Sequence, residues 1–384
     1  MNVDWLIVGA GYVGCVLAER IATQLDQRVV IVDRRNHIGG NAFDRYDQHG
    51  ILIHQYGPHI FHTNSKRVWA YLSQFTNWHQ YYHQARAEID GKMVPVPFNL
   101  NSLHALFPAA QADRLENELL AQFGPESRVP ILQLRKTTNK HLRELADYIY
   151  DNMFVGYTAK QWNMKPEELD TSVTNRVMVG ITRDNRYFQD AFQCLPSDGY
   201  TNMFRKMLTH ENIHMVLGTD YRALLSNLKF KRMIYTGPLD AFFDYSHGEL
   251  PYRSLQFEFV NYETEKYQEF AVINYPNSHA YTRISEYKHM TGQQSPTTTV
   301  AVEYPRDYSP GCNEPYYPVP KEENHELVKL YQREIRKLNG SVIFAGRLAD
   351  YKYYNMDQAV ARALQVFEKV IVRSEVSLNL LSSE

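Results

Sequence analysis

Cysteine is scarce in this chain: Cys15, Cys194 and Cys312 are the only three in 384 residues. Widely spaced and odd in number, they form no CxxC pair and no metal-ligand spacing. That excludes a disulfide framework and a dithiol redox centre, and it predicts buried thiols in a reducing cytosol. No apolar run approaches the roughly 18 residues of a membrane span. The first residues run straight into an apolar strand pattern, without the basic region or cleavage site of a leader. The expectation is a cytoplasmic protein with no membrane insertion. A charge excess is missing too, since the net charge is −2, which argues against nucleic acid as a partner. Internal repeats, low-complexity tracts and flexible linkers are absent. Tyrosine, by contrast, is plentiful at 28 residues, with clusters at Tyr81-Tyr82, Tyr316-Tyr317 and Tyr351-Lys-Tyr353-Tyr354. Adjacent tyrosines on an irregular segment cannot all face one core, so some of these hydroxyls are free to bind a polar ligand.

The strongest local pattern opens the chain. The apolar run Val3–Val8 leads into Gly9-Ala-Gly11-Tyr-Val-Gly14, and a second apolar run, Val29–Val32, ends in Asp33. This predicts a strand, a glycine turn, a helix and a second strand. Gly9 permits the turn, Gly11 lets a pyrophosphate approach the backbone, and Gly14 lets the helix pack close to the sheet. The helix N-terminus then faces the phosphates, and Asp33, 19 residues beyond Gly14, is set to accept hydrogen bonds from a ribose. A second glycine pair, Gly39-Gly40, follows at once. Lys231–Pro238 reads as a strand ending in a Thr-Gly turn. Val342–Arg347 reads as a strand ending in glycine, followed by a helix with Asp357 as N-cap and a stripe of Val360, Ala363, Leu364, Phe367 and Val370. Together these pieces resemble FAD domains of the glutathione-reductase and amine-oxidase type. No second GxGxxG follows residue 14, so a pyridine nucleotide has no domain of its own.

Between the FAD pieces the pattern changes twice. Residues 101–180 are helical and polar, as in Asn139–Tyr150, where Leu142, Leu145, Ala146 and Ile149 share a face. Residues 250–305 alternate and are β-branched in Leu255–Val260, Phe270–Asn274 and Thr297–Val302, predicting an antiparallel sheet. The expected fold is α/β: a Rossmann-like FAD domain with an inserted helical domain and an inserted antiparallel β-sheet domain. The boundaries expected are 1–80, 200–245 and 335–384 for the FAD domain, 99–180 for the helical domain, and 81–98, 181–199 and 246–334 for the sheet domain.

Arginines and aromatics stand out in the insertions: Gly156-Tyr-Thr-Ala-Lys-Gln-Trp162 with Arg176 beyond it, Tyr281-Thr-Arg283, and Glu314-Pro-Tyr-Tyr-Pro318. An aromatic with two arginines suits a nucleoside diphosphate, by stacking on the base and bidentate contact to the phosphates. His59 and His62 suit polar contact with a flavin better than metal binding; no metal site is expected. These motifs, with Arg35-Asn-His-Ile-Gly-Gly-Asn41, Gly57-Pro-His-Ile-Phe-His-Thr63, Ile234-Tyr-Thr-Gly-Pro238, Glu303-Tyr-Pro305 and Gly346–Tyr354, resemble in order those of the bacterial UDP-galactopyranose mutases.

The resemblance implies a cytosolic homodimeric flavoprotein that interconverts UDP-galactopyranose and UDP-galactofuranose for cell-surface polysaccharide. It implies a helical domain with a mobile lid, N5 of reduced FAD as nucleophile on the anomeric carbon, and UDP as leaving group. By motif, Tyr157, Thr158 and Trp162 fall on the uridine side. Arg176 and Arg283 clamp the diphosphate, Tyr187, Tyr317 and Tyr353 donate hydroxyls to it, and Asn274 lies close by. His62 faces flavin and sugar, and His83 faces the sugar; Arg176, Arg283 and His62 carry catalysis. Gly9, Gly11, Val13, Gly14, Asp33, Arg34, Gly40, Asn41, His59, Ile60, Asp220, Tyr221, Arg347, Tyr354, Asn355 and Met356 fall on FAD-contacting positions. Two departures are visible: Asn355 stands where the family often has Asp, and His83 where some relatives have Asn. The competing readings are an amine-oxidase or desaturase-like flavin oxidoreductase and a non-catalytic nucleotide-sugar-binding flavoprotein.

Overall fold

The computed structural model describes residues 2–164, 168, 178–319 and 321–373. Its centre is a five-stranded sheet built from β1 (Asn2–Val8), β2 (Val29–Asp33), β3 (Ile213–Leu217), β4 (Lys229–Tyr235) and β5 (Val342–Phe344). The spatial order is β3-β2-β1-β4-β5, and every pairing is parallel. Parallel strands are covered on both faces, which is why Val29–Val32 is an unbroken buried apolar run. The helix α1 (Tyr12–Leu25) follows β1 through the predicted glycine turn, and α2 (Met356–Val366) follows β5. Val13, Val16, Leu17 and Ile21 of α1 share one core with Val360, Ala363 and Leu364 of α2.

Gly14 is where the two layers touch. A Cβ there would lie 1.9 Å from the Gly9 carbonyl oxygen, so only glycine allows α1 to sit this close to the turn. Gly9 adopts φ +103, a conformation open to glycine, and a Cβ on it would meet Thr236 Oγ1 at 2.0 Å.

The C-terminal helix differs from expectation in two details. Its N-cap is Asn355, not Asp357; Asn355 is extended and its N–H donates to Gln358 Oε1 at 2.9 Å. Asp357 sits within the first turn and accepts from Thr63 Oγ1 at 2.9 Å. Val370, expected on the buried stripe, is 42% exposed while Ile371 is buried. A π-helical turn over Phe367–Val372 inserts an extra residue into the repeat and shifts the phase.

A separate core forms among the helical residues, from Leu103, Leu115, Leu142, Leu145, Ala146 and Ile149. The third body is a seven-stranded sheet in which Tyr252–Tyr262, Thr298–Asp307 and Arg283–Glu286 pair antiparallel. It is not wholly antiparallel, because Val272–Asn274 runs parallel to Ala85–Ile89. Phe192–Pro196, within the stretch 181–199 assigned to the sheet domain, pairs with Phe61–Thr63 and Trp78–Gln80 in a three-stranded sheet. Cys15 and Cys194 are buried as expected, but Cys312 is exposed.

Candidate functional site

A cleft of about 410 Å³ opens at the carboxyl ends of β1, β2 and β4. Its floor is the glycine turn. Gly11 caps α1 without a side-chain cap bond, so the first-turn N–H groups are left for a ligand. Across from it, a Cβ on Gly40 would lie 2.9 Å from Gly11 Cα: the two glycine loops meet backbone to backbone. Asp33 is fixed at the end of β2, where Oδ2 accepts from Ala10 N and Oδ1 from Arg35 N, at 2.8 and 2.9 Å. Each oxygen keeps a lone pair free for a ribose hydroxyl. Arg34 and Arg35 both donate to Glu314 Oε2 at 2.6 Å, closing a bridge along one wall. Burial works against the Glu314 charge, but Arg35 and Arg34 outweigh it and hold the carboxyl below its ordinary range.

Of the expected FAD positions, Gly9, Gly11, Val13, Asp33, Arg34, Gly40, Asn41, His59, Asp220, Tyr221, Arg347, Asn355 and Met356 line this cleft. Gly14, Ile60 and Tyr354 do not. Gly14 packs behind the turn, Ile60 is buried in the core, and the Tyr354 hydroxyl donates to Asp350 at 3.1 Å. Cleft residues that the sequence reading missed include Tyr245 and Tyr308, and Glu314, noted there in the Glu-Pro-Tyr-Tyr-Pro motif on the substrate side, lines the cofactor cleft.

Beyond the cleft, the expected substrate residues converge from three separate parts of the chain. The helix Gly156–Trp162 ends at Asn163, which takes the left-handed conformation. Trp162 is buried, with the Tyr317 and Tyr353 rings at 6.1 and 6.4 Å. Those tyrosines stack on each other at 5.2 Å, and the Arg347 guanidinium lies about 5.5 Å from both rings. Arg283 stands in a cross-strand row with Asn274 on one side and Glu303 on the other. Its Nε and Nη2 donate to Glu303 Oε2 at 2.8 and 2.6 Å. Glu303 is 1% exposed, and its other oxygen accepts from Thr282 Oγ1. Burial opposes the Arg283 charge, yet Glu303 more than offsets it and keeps the guanidinium charged. Tyr157 lies in the same field; burial raises its hydroxyl above the ordinary range against the pull of Arg283. Asn274 is less committed to a ligand, since its amide donates to Arg86 O at 3.1 Å. Thr158 is half-buried on the helix, and Arg176 lies outside the described residues.

The helix is pinned by residues that sequence reasoning did not single out. Buried Arg253 donates to Gln161 O at 2.9 Å at the helix C-terminus, and Lys160 Nζ donates to Tyr275 O at 2.7 Å. Gly156 approaches so closely that a Cβ would fall 2.5 Å from Pro276 O. Glu303 was present in the Glu-Tyr-Pro motif, but nothing in its spacing marks it as the partner of Arg283.

His83, within the field of Arg283, is 5% exposed, bonded through Nδ1 to the Tyr81 hydroxyl at 3.1 Å and flanked by Tyr187 at 5.6 Å. Burial, then the positive Arg283, push it down to about 3. His54, fully buried, is likewise pushed down to about 3 by burial. Both remain neutral in the folded protein, whereas the unfolded chain protonates them below the ordinary 6.5. Their contribution is therefore full above about pH 6.5 and is lost progressively as pH falls towards 3, at up to about 1.4 kcal/mol per pH unit for each. Urea unfolding at pH 7 and 5.5 should show lower stability at the acid value, with a smaller slope in His83→Gln; equal slopes in the two proteins would contradict this. Among the described residues no group of three or more His, Cys, Asp or Glu could hold a metal, and no helix is long and apolar enough to cross a membrane.

Comparison with known proteins bears on the family and the fold. Residues 152–353 match the UDP-galactopyranose mutase family and residues 7–75 an NAD(P)-binding Rossmann-like domain. A probable UDP-galactopyranose mutase of Klebsiella pneumoniae is 35% identical, over 96% of this chain and 95% of its own length. A dTDP-fucopyranose mutase of Escherichia coli is 32% identical, over 94% of this chain and 96% of its own. The crystal structure of a reduced UDP-galactopyranose mutase superposes with a TM-score of 0.74 at 15% identity, covering 97% of this chain and 94% of that one.

Proposed function

Because the chain belongs to the UDP-galactopyranose mutase family, we propose that it interconverts UDP-galactopyranose and UDP-galactofuranose, working as a cytoplasmic homodimer that supplies galactofuranose for cell-surface polysaccharide. The observation that carries this reading is the meeting of Arg283, Tyr157, Trp162, Tyr317 and Tyr353 beside a glycine-walled dinucleotide cleft. The cofactor is FAD; Gly11, Gly40 and the α1 N-terminus would hold its pyrophosphate and Asp33 its ribose. Reduced flavin, when bound, supplies a nucleophile for the anomeric carbon, so the sugar changes ring size without net oxidation.

The chain's own residues do the rest. Arg283, joined by Arg176 as the motif implies, takes the negative charge that develops on the departing diphosphate; the Glu303 contact fixes the Arg283 fork before substrate arrives. By motif, Tyr187, Tyr317 and Tyr353 donate O–H groups to the phosphates, and Tyr157 lies on the uridine side. Trp162 and Thr158 hold the uridine, with Asn274 close by. His62 and neutral His83 face the sugar.

Titration with UDP should change the fluorescence of Trp162, and Trp162→Phe should abolish that change and weaken binding about tenfold or more. The dTDP arm is the control that the 32% relative calls for. UDP binding more tightly than dTDP supports the reading, and the reverse order moves the substrate to a deoxynucleotide sugar. Steady oxygen consumption in proportion to substrate would instead identify an oxidase.

A further inference from the structure

The proposed reaction must move a proton as well as a ring bond. When the pyranose opens, the bond from the anomeric carbon to the ring oxygen breaks and that oxygen gains a proton. When the furanose closes, a neighbouring hydroxyl oxygen bonds the anomeric carbon and loses one. The sum is zero, but a group that accepts and returns a proton in place lowers both barriers. Among the residues that this reading sets against the sugar, one is held on three sides.

His62 lies on the short strand Phe61–Thr63, in register with Gln193 of Phe192–Pro196. Its Nδ1 is 2.8 Å from Asp190 Oδ2. Its ring stacks on Phe188 with centroids 3.7 Å apart and planes within 13°. The turn that carries both partners is itself fixed: the Gln193 amide donates to Phe188 O and Asp190 O at 3.2 and 2.9 Å. The second Asp190 oxygen accepts from Asn64 Nδ2 at 2.8 Å, and Asn64 Oδ1 accepts from Ala191 N at 2.9 Å. Every polar group around the Asp190 carboxylate is thus a donor, as a carboxylate requires, and the matching partner at Nδ1 is N–H. Among the described residues Nε2 has no hydrogen-bond partner. The neighbours of His62 are those of the site: His83 shares its field and that of Arg283, and the adjoining Thr63 bonds Asp357 of α2.

We propose that Asp190 is a positioning residue that locks His62 as the Nδ1–H tautomer, leaving Nε2 to pick up a proton from water, give it to the ring oxygen as the first ring opens, and take one back from the hydroxyl that closes the second. Phe188 fixes the ring plane, and the Asp190 carboxylate stabilises the charge on the imidazole while it holds the extra proton. This rests on the mutase reading for the identity of the sugar, but the tautomer does not.

The test therefore has two arms. Long-range 15N–1H correlation spectra of the holoenzyme, labelled in histidine and without substrate, report which nitrogen of His62 carries the proton, with His62→Gln assigning the signal. The wild type should show Nδ1–H, and Asp190→Asn should show a mixture or Nε2–H. In the second arm, Asp190→Asn should lower kcat about 10- to 100-fold with flavin content and UDP affinity unchanged, and Asp190→Glu should recover part of the loss. An Nε2–H tautomer in the wild type, an unchanged kcat in Asp190→Asn, or full activity in His62→Gln each overturns the proposal. If the wild type turns over no UDP-galactose at all, the mutase reading fails, while the spectra still decide whether Asp190 sets the tautomer.

Discussion

Arg283→Ala is expected to lower turnover at least about 100-fold, and to do so for two separable reasons. A charged hydrogen bond to phosphate is worth about 1.5–3 kcal/mol, and each 1.4 kcal/mol is a factor of ten. Misplacement of the leaving group adds to that. The same substitution strips Glu303 of its cation. Glu303 is 1% exposed and, among the described residues, would keep only Thr282 as a side-chain partner, and an uncompensated buried charge costs about 3–5 kcal/mol of stability. The single variant therefore conflates lost chemistry with lost folding. The double variant Arg283→Ala/Glu303→Gln removes the orphaned charge, so its urea midpoint should return most of the way to wild type while its turnover stays low. Recovery of activity together with stability would mean that Arg283 acts only as a counter-ion inside the sheet.

The glycine turn yields the second large effect, and its three glycines should fail in two different ways. Gly14→Ala drives a Cβ into the Gly9 carbonyl at 1.9 Å, so α1 must lift from the sheet. That variant should be destabilised and purify with little flavin. Gly9→Ala combines a positive φ with a contact to Thr236 Oγ1 at 2.0 Å and should behave similarly. At Gly11 the nearest atom to an added Cβ is Gly40 Cα at 3.7 Å, ordinary van der Waals contact, and the φ of −82 suits any residue. Gly11→Ala should therefore fold as the wild type does, with a melting temperature within a few degrees, yet bind flavin poorly because its methyl group occupies the approach of the pyrophosphate. Full flavin occupancy in Gly11→Ala would remove the pyrophosphate from this turn.

Residues whose role depends on local geometry could be read from sequence; those whose role depends on a distant partner could not. The spacing of Gly9, Gly11, Gly14 and Asp33 encodes a strand, turn, helix and strand because each glycine answers a steric demand made within a few residues. The apolar stripe of Leu142, Leu145, Ala146 and Ile149 is buried as its period requires. Glu303 is different. An acid in an alternating strand looks like a solvent-facing position, and only the register with Arg283 turns it inward. Asp190 and Phe188 belong to a turn whose purpose emerges when Phe192–Pro196 pairs with Phe61–Thr63, more than a hundred residues earlier. The exposed Val370 fails for a third reason, since a fixed 3.6-residue period does not anticipate a π turn. Arg176, which the motif pairs with Arg283, lies outside the described residues.

The most direct measurement is isomerisation itself. The purified flavoprotein is reduced with dithionite, incubated with UDP-galactofuranose, and the products are separated by HPLC beside an air-oxidised sample. The account predicts UDP-galactopyranose from the reduced protein and almost none from the oxidised one, because oxidised flavin has no N5 lone pair suited to attack on the anomeric carbon. Equal turnover in both redox states, or no pyranose from the reduced protein, would contradict it.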